Sequence, residues 1–521
     1  MEQKENIIYL LPKENKGLLR FIFSRLPFFV LMLSIEISIV LCIFGWFRDY
    51  FPYIALIQTV FAIGMVIYLF NCQMDYSAKM TWLFLLMLFP VPGALFLAWT
   101  QNDIGHRTAQ VALNTVLEKT KDMIPQDESI IKEPDIKASG TAELWRFLNK
   151  SGCFPLFKNT SVKYFPLGED KFEALLEELE KAEKFIYMEY FIISEGYMWG
   201  KILDVLARKA AQGVDVRVIY DGMCDVLLLS SDYPKRMEKL NIQCRPFSPI
   251  VPFLSTHYNY RDHRKITVID NKVAFTGGIN LGDEYINKKS RFGHWKDTAI
   301  MLKGDAAKSF TLMFLQIWQV FDEKQDWENV LSEVPKTESD GYVIPFCDSP
   351  MDRYKSGESV YIDMLYRAKE YVHIMTPYLI LDNELETALK YAAERGVDVK
   401  IILPGIPDKK SAYALAKTHY SSLVSSGVKI YEYTPGFVHA KLFVSDDEKA
   451  CVGTINLDYR SLYHHFECGA YMYKSSCISD IEKDYKDTLA KCKQVTPQTI
   501  KAEKLSYKIL GSFMKIFAPL M

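Results

Sequence analysis

The 521-residue chain has no Cys-x-x-Cys pair: its ten cysteines, among them Cys42, Cys153, Cys244 and Cys492, are scattered singly. That absence argues against a zinc site or a disulfide framework and fits a reducing compartment. There is no excess of charge of either sign, with 62 basic residues against 64 acidic. The electrostatic footprint of a nucleic-acid binder is therefore missing, and no nucleic acid is expected as partner. The Cys and His residues form no metal-ligand cluster in the sequence, so neither a metal nor another cofactor is expected. A secretory leader is missing too. It would be one apolar stretch with a small-residue cleavage site, whereas here three apolar runs, 26–47, 51–70 and 80–99, follow in series.

Each run approaches the roughly 20 residues that cross a bilayer as a helix. Residues 1–110 are expected to form a membrane anchor of two or three transmembrane helices, which makes the chain a multi-pass cell-membrane protein. Glu36 lies inside the first run, where an ionised carboxylate is costly, so it faces other helices or is protonated. Phe89-Pro90-Val91-Pro92-Gly93 breaks or kinks the third run, which either spans or re-enters. Lys4, Lys13, Lys16, Arg20 and Arg25 put the N-terminus in the cytoplasm by the positive-inside rule. A cytoplasmic catalytic part, which the cysteine usage favours, then requires a re-entrant third run or, alternatively, an external N-terminus.

What is present in the rest of the chain is a repeated pattern, His-x-Lys-x-x-x-x-Asp. The first copy is His263, Lys265 and Asp270, followed by Gly277-Gly278-Ile279-Asn280. The second is His439, Lys441 and Asp446, followed by Gly453-Thr454-Ile455-Asn456, and His to Asn is a 17-residue step in both. Two stray matches would arise in well under about 1% of sequences of this composition. Ile266-Thr267-Val268-Ile269 and Leu442-Phe443-Val444 read as buried strands, on which residues two apart share a face, so each His emerges beside its Lys. Such a group suits a phosphate: Lys supplies charge, Asn280 and Asn456 supply amide donors, and His is left for covalent or proton chemistry. Asp270 and Asp446 count with the catalytic set because they belong to the pattern, and they read as ties between strand and turn.

The repetition extends beyond the motif. Lys209-Ala-Ala-Gln-Gly213-Val-Asp-Val-Arg-Val-Ile219 mirrors Tyr391-Ala-Ala-Glu-Arg-Gly396-Val-Asp-Val-Lys-Ile-Ile402, each a helix, a Gly stop and a strand. Alternating strands and helices in residues 111–335 and again in 336–495 predict two α/β subdomains with mostly parallel sheets covered by helices. In residues 496–521, Leu505, Ile509, Phe513, Ile516, Phe517 and Leu520 recur at helical spacing among Lys501, Lys504, Lys508 and Lys515. This amphipathic C-terminal helix either lies on an anionic leaflet or packs on the catalytic core.

With these residues the chain resembles the phospholipase D superfamily, and within it bacterial cardiolipin synthases, over nearly its whole length. The resemblance implies two pseudo-symmetric phospholipase D-like α/β subdomains that share one active site, with both histidines facing one phosphodiester. It implies a carboxylate downstream of each motif that hydrogen-bonds a catalytic His. The matching positions are Asp297, in His294-Trp295-Lys296-Asp297-Thr298, and Glu467, in His465-Phe466-Glu467. His257, His294, His464 and His465 stand near the motifs but lack the spacing. The resemblance further implies a phosphatidyltransferase that moves a phosphatidyl group from one phosphatidylglycerol to another through a phosphohistidine. His263 would be the nucleophile, His439 the acid and base, and glycerol the leaving product. Its partners would be phospholipid substrates of the membrane in which it is embedded; the oligomeric state stays open. A phospholipase D hydrolase, another phosphatidyltransferase using a CDP-lipid and a catalytically inactive membrane scaffold are the other readings.

Overall fold

The computed structural model describes residues 7–10, 34, 38, 51–72, 74–101, 104–152, 154–248, 260–320, 330, 331, 337 and 341–520. Among these residues nine strands fall in the first half: β1 (Thr160–Phe165), β2 (Phe185–Tyr190), β3 (Asp215–Asp221), β4 (Gln243–Phe247), β5 (Arg261–Asp262), β6 (Lys265–Ile269), β7 (Val273–Gly277), β8 (His294–Lys296) and β9 (Ala299–Gly304). Nine follow in the second: β10 (Tyr342–Asp348), β11 (Tyr371–Met375), β12 (Asp398–Pro404), β13 (Lys429–Tyr433), β14 (Gly436–Val438), β15 (Leu442–Ser445), β16 (Lys449–Gly453), β17 (His465–Tyr473) and β18 (Cys492–Gln494).

The first sheet runs β1-β9-β7-β6-β2-β3-β4, and the second repeats that order as β10-β17-β16-β15-β11-β12-β13 and adds β18 at the edge. The helix, glycine and strand units of the repeat take the expected form. Helices Tyr197–Ala211 and Asn383–Glu394 end before Gly213 and Gly396, at φ +92° and +98°, and β3 and β12 follow. Only glycine adopts that left-handed geometry without strain.

The sheets are mixed, not mostly parallel. β2, β3 and β4 are parallel, as are β11, β12 and β13, but β6, β7, β9 and β1 and their second-half counterparts pair antiparallel. The motif aspartates explain the difference. Asp270 and Asp446, at φ +53° and +55°, start the tight turns from β6 to β7 and from β15 to β16, and such turns return the chain antiparallel. The carboxylate of Asp270 accepts from the backbone N–H groups of Glu183, Lys184 and Phe185, each at 2.8 Å; that of Asp446 accepts from Lys369, Glu370 and Tyr371 at 2.8–3.0 Å.

Both halves feed one large core. Helix Ala307–Val320, buried along almost its whole length, packs Phe310, Phe314 and Trp318 among Ile266, Val268 and Ile300 of the first sheet and Ile344 and Phe346 of the second. The halves are also laced together by strands. β5 of the first half pairs parallel with β17 of the second, and β8 of the first pairs parallel with β14 of the second.

The N-terminal expectation requires correction. Among the described residues no helix is long and apolar enough to cross a membrane, so the transmembrane helices read from the second and third runs are not found. Apart from Ser34 and Ser38 the first run, with Glu36, lies outside the described residues, as do the basic residues Lys4, Lys13, Lys16, Arg20 and Arg25. The third run is divided into helices Tyr76–Leu88 and Pro90–Gln101. Pro90 has no amide hydrogen, and its ring disfavours helical geometry in the residue before it, which leaves pieces well short of the roughly 20 residues a crossing requires. The second run forms helix Phe51–Asn71, and its apolar side chains divide between a small core, where Leu69 meets Trp82, Leu86, Ala94 and Leu97, and an exposed face.

The C-terminal helix Leu505–Phe517 packs on the core through Gly511, where a Cβ would stand 2.4 Å from the carbonyl oxygen of Ala414. It also meets the N-terminal cluster: Thr81 donates to the carbonyl oxygen of Ile516 at 2.7 Å, and the Phe84 and Phe517 rings lie 6.1 Å apart. Leu505, Ile509 and Phe513 remain exposed, as do Met80, Phe84 and Met87 of the adjoining helix.

Candidate active site

The two strand exchanges build the site. In the register of β5 on β17, Arg261 faces His465 and Asp262 faces Phe466, so the next residues, His263 and Glu467, meet. In β14 on β8, Gly436 faces His294, Phe437 faces Trp295 and Val438 faces Lys296, which brings His439 to Asp297. Backbone bonds complete each register: the N–H of His263 donates to Phe466 at 2.9 Å, and that of His439 to Lys296 at 2.7 Å.

The carboxylates therefore act across the halves. Nδ1 of His263 lies 2.9 and 3.0 Å from the two carboxylate oxygens of Glu467, and Nδ1 of His439 lies 2.7 Å from Oδ2 of Asp297. A carboxylate at Nδ1 fixes the proton there and leaves Nε2 as the reactive nitrogen. Both carboxylates are themselves held. Thr454 donates its hydroxyl to Glu467 at 2.5 Å, while Asp297 accepts from the N–H of Thr298 at 2.9 Å. Gly278, the counterpart of Thr454, has to be glycine because a Cβ there would stand 2.0 Å from Asp297 Oδ1.

The motif lysines are almost completely buried. Lys265 donates to the carbonyl oxygen of His263 at 2.5 Å; Lys441 donates to that of His439, and its Nζ lies 2.9 Å from Nδ1 of the same histidine. Burial brings the Lys265 ammonium down to about 8 and that of Lys441 to about 7, against the pull of the carboxylates. Burial, with Lys441 adding to it, pushes His439 down to about 4. Burial likewise holds His263 well below its ordinary range. Glu467 and Asp297 stay ionised: burial pushes each up, and the imidazoles beside them outweigh it. The result is a pair of neutral, oriented imidazoles among cations held in a dry environment, each ready to bind an anion.

The asparagines sit in the same layer. Asn280 accepts from the N–H of Ile192 at 3.1 Å and donates to the Tyr285 hydroxyl at 2.8 Å; the side-chain Oδ1 of Asn456 is buried and has no hydrogen-bond partner among the described residues. Asp270 and Asp446 lie at the far ends of β6 and β15 and tie backbone, each seven residues and so roughly 23 Å from its motif histidine at strand rise. Of the four histidines near the motifs, His257 is outside the described residues, His294 bonds the Tyr433 hydroxyl at 3.1 Å, His464 meets the carbonyl oxygen of Pro519 at 3.3 Å, and His465 enters the site.

The sequence reading missed what supports the motif from beneath. Arg264, buried between Asp262 (3.2 Å) and Glu189, anchors the strand on the face opposite His263 and Lys265. The signal was the run Arg261-Asp262-His263-Arg264-Lys265, five ionisable residues entering a buried strand. Aromatic rings wall the imidazoles: Phe191 lies 4.9 Å from His263, and Trp295 lies 5.3 Å from His439.

Comparison with known proteins agrees with this architecture. The profile of the family described as "Cardiolipin synthase, PLD-like domain" matches residues 175–318 and 361–489, one copy for each motif. An uncharacterized protein of Streptococcus mutans is 55% identical over 88% of this chain and 100% of its own length. A cardiolipin synthase of Alkalihalophilus pseudofirmus is 33% identical over 89% of this chain and 92% of its own. The crystal structure of a phosphatidylserine synthase from Haemophilus influenzae shares the fold, with a TM-score of 0.56 at 15% identity, covering 73% of this chain and 97% of that one. The duplicated motif, the crossed carboxylates and these matches together make the chain a member of the cardiolipin synthase family of phospholipase D-like proteins.

Proposed function

We propose that this chain is a cardiolipin synthase, a phosphatidyltransferase that joins two phosphatidylglycerols and releases glycerol. The observation that carries the reading is the reciprocal pair His263–Glu467 and His439–Asp297, two imidazoles oriented at Nδ1 within one cationic site. In the first displacement Nε2 of His263 attacks phosphorus: a P–N bond forms, the P–O bond to glycerol breaks, and protonated His439 gives its proton to the leaving oxygen. His439 is neutral in the empty site, and the arriving phosphodiester anion raises its basicity, so the proton comes with the substrate's charge. In the second displacement His439 takes the proton of a hydroxyl on another phosphatidylglycerol. That oxygen forms the new P–O bond, the P–N bond breaks, and His263 is regenerated.

Lys265, Lys441, Asn280 and Asn456 hold the phosphoryl oxygens through both transition states, and Asp297 and Glu467 orient the histidines. Lipid substrates imply work at a bilayer surface. The exposed apolar side chains of Leu505, Ile509, Phe513, Met80 and Phe84, flanked by Lys504, Lys508 and Lys515, support a face that rests on the cytoplasmic leaflet without crossing it. The eight cysteines among the described residues form no disulfide, in keeping with the cytoplasmic side.

Purified protein given phosphatidylglycerol alone should yield cardiolipin and glycerol. Phosphatidic acid would point to the hydrolase, turnover only with a CDP-lipid to another phosphatidyltransferase, and no reaction to the scaffold. His263→Ala and His439→Ala should each lose at least about 1,000-fold in rate while staying folded, and product formation near the wild-type rate by either would sink the shared site. The pH profile of kcat/KM follows from the lysines. A lysine with a lowered pKa is charged below that value and loses its charge as pH rises through it, so the alkaline limb should begin near 7 and steepen near 8. Lys441→Arg, which stays charged, should move the limb upward; an unmoved limb would remove the lysines from phosphate binding. For the bilayer face, Ile509→Glu with Phe513→Glu should weaken binding to phosphatidylglycerol vesicles by tenfold or more, at about 1.5 kcal/mol or more per buried side chain. Binding as tight as that of the wild type would place the contact elsewhere.

A further inference from the structure

His465 opens β17 and is the register counterpart of Trp295: each stands two residues before the carboxylate that holds a motif histidine. Trp295 packs its indole 5.3 Å from the ring of His439, and His465 puts its imidazole 5.3 Å from the ring of His263. Where one half offers an apolar ring, the other offers a hydrogen-bonding one.

His465 is only 7% exposed, and neither of its ring nitrogens has a hydrogen-bond partner among the described residues. Glu467 Oε1 lies 3.7 Å from Nδ1, beyond hydrogen-bonding range, and that carboxylate already serves His263 and Thr454. Buried polar atoms are as a rule satisfied, so two orphaned nitrogens on one ring at a substrate site call for a group that arrives with the substrate. One polar atom from each of His263, His465 and Glu467 lies within 4.8 Å of the others, so the His465 ring stands immediately beside the imidazole proposed as nucleophile. The buried ammonium groups of Lys265 and Lys441 make this region attractive to an anion.

We propose that His465 is a third imidazole of the active site and donates an N–H to an oxygen of the substrate phosphate on the His263 side. The inference rests on reading the site as one for phosphoryl transfer. It makes the site asymmetric: the His263 end grips the phosphorus centre, and the His439 end, walled by Trp295, is left to proton transfer.

Inorganic phosphate, titrated calorimetrically into the full chain with a chelator present, is the probe. His465→Phe keeps a ring of the Trp295 kind and removes the donor; His465→Asn keeps a donor without the ring. His465→Phe should bind phosphate about tenfold or more weakly and raise KM for phosphatidylglycerol by a similar factor, the loss of one hydrogen bond to a charged group. His465→Asn should recover most of both. Phosphate binding by His465→Phe equal to wild type would overturn the proposal. So would equal losses in His465→Asn and His465→Phe, which would assign the residue to packing. If the wild type bound phosphate through His465 as described but made no cardiolipin, the reaction assigned above would fall and this contact would stand.

Discussion

The structure depends on a reciprocal exchange of two short parallel strand pairs. β5 reaches into the second half and β8 into the first-to-second seam, and each pairing ends one residue before a histidine meets a carboxylate of the other half. Neither half alone contains an oriented catalytic histidine. The large core shared by both sheets follows from the same constraint, because two strands a few residues long hold their register only when the bodies carrying them are rigidly packed. The glycine at 278 and the threonine at 454 show how closely this is fitted: one makes room for Asp297, and the other bonds Glu467.

Burial gives this geometry its chemistry. Water is displaced from around two imidazoles and two lysines, which lowers their proton affinity: the imidazoles are left neutral, while the lysines, at about 8 and about 7, still carry positive charge near neutral pH. In the proposed reaction the negative charge of an arriving phosphodiester raises the basicity of His439. On that proposal the substrate that needs an acid also brings the charge that creates it.

Much of this was legible in the sequence. The motif copies and their glycine and asparagine steps could be read because strand periodicity and tight turns are local properties, and Gly213 and Gly396 appear where the helix stops predicted them. The ties made by Asp270 and Asp446 were legible for the same reason. The crossing of Glu467 to His263 was not, since spacing along the chain says nothing about which of two similar halves a strand will join. The mixed sheets were missed because alternating strands and helices in the first part of each repeat were extended to hairpins in the second. The second and third apolar runs were misread for another reason: hydrophobicity summed along a window does not register that Pro90 divides a helix, or that side chains such as Trp82 and Leu97 are used on one another.

Double-mutant cycles on unfolding free energy test the central claim most directly. With His263→Ala, His439→Ala, Glu467→Gln and Asp297→Asn taken in pairs, the account predicts coupling of about 1 kcal/mol or more between His263 and Glu467 and between His439 and Asp297. It predicts near additivity for His263 with Asp297 and for His439 with Glu467, the pairs within each half. Coupling confined to the pairs within each half would contradict the exchange and with it the single composite site.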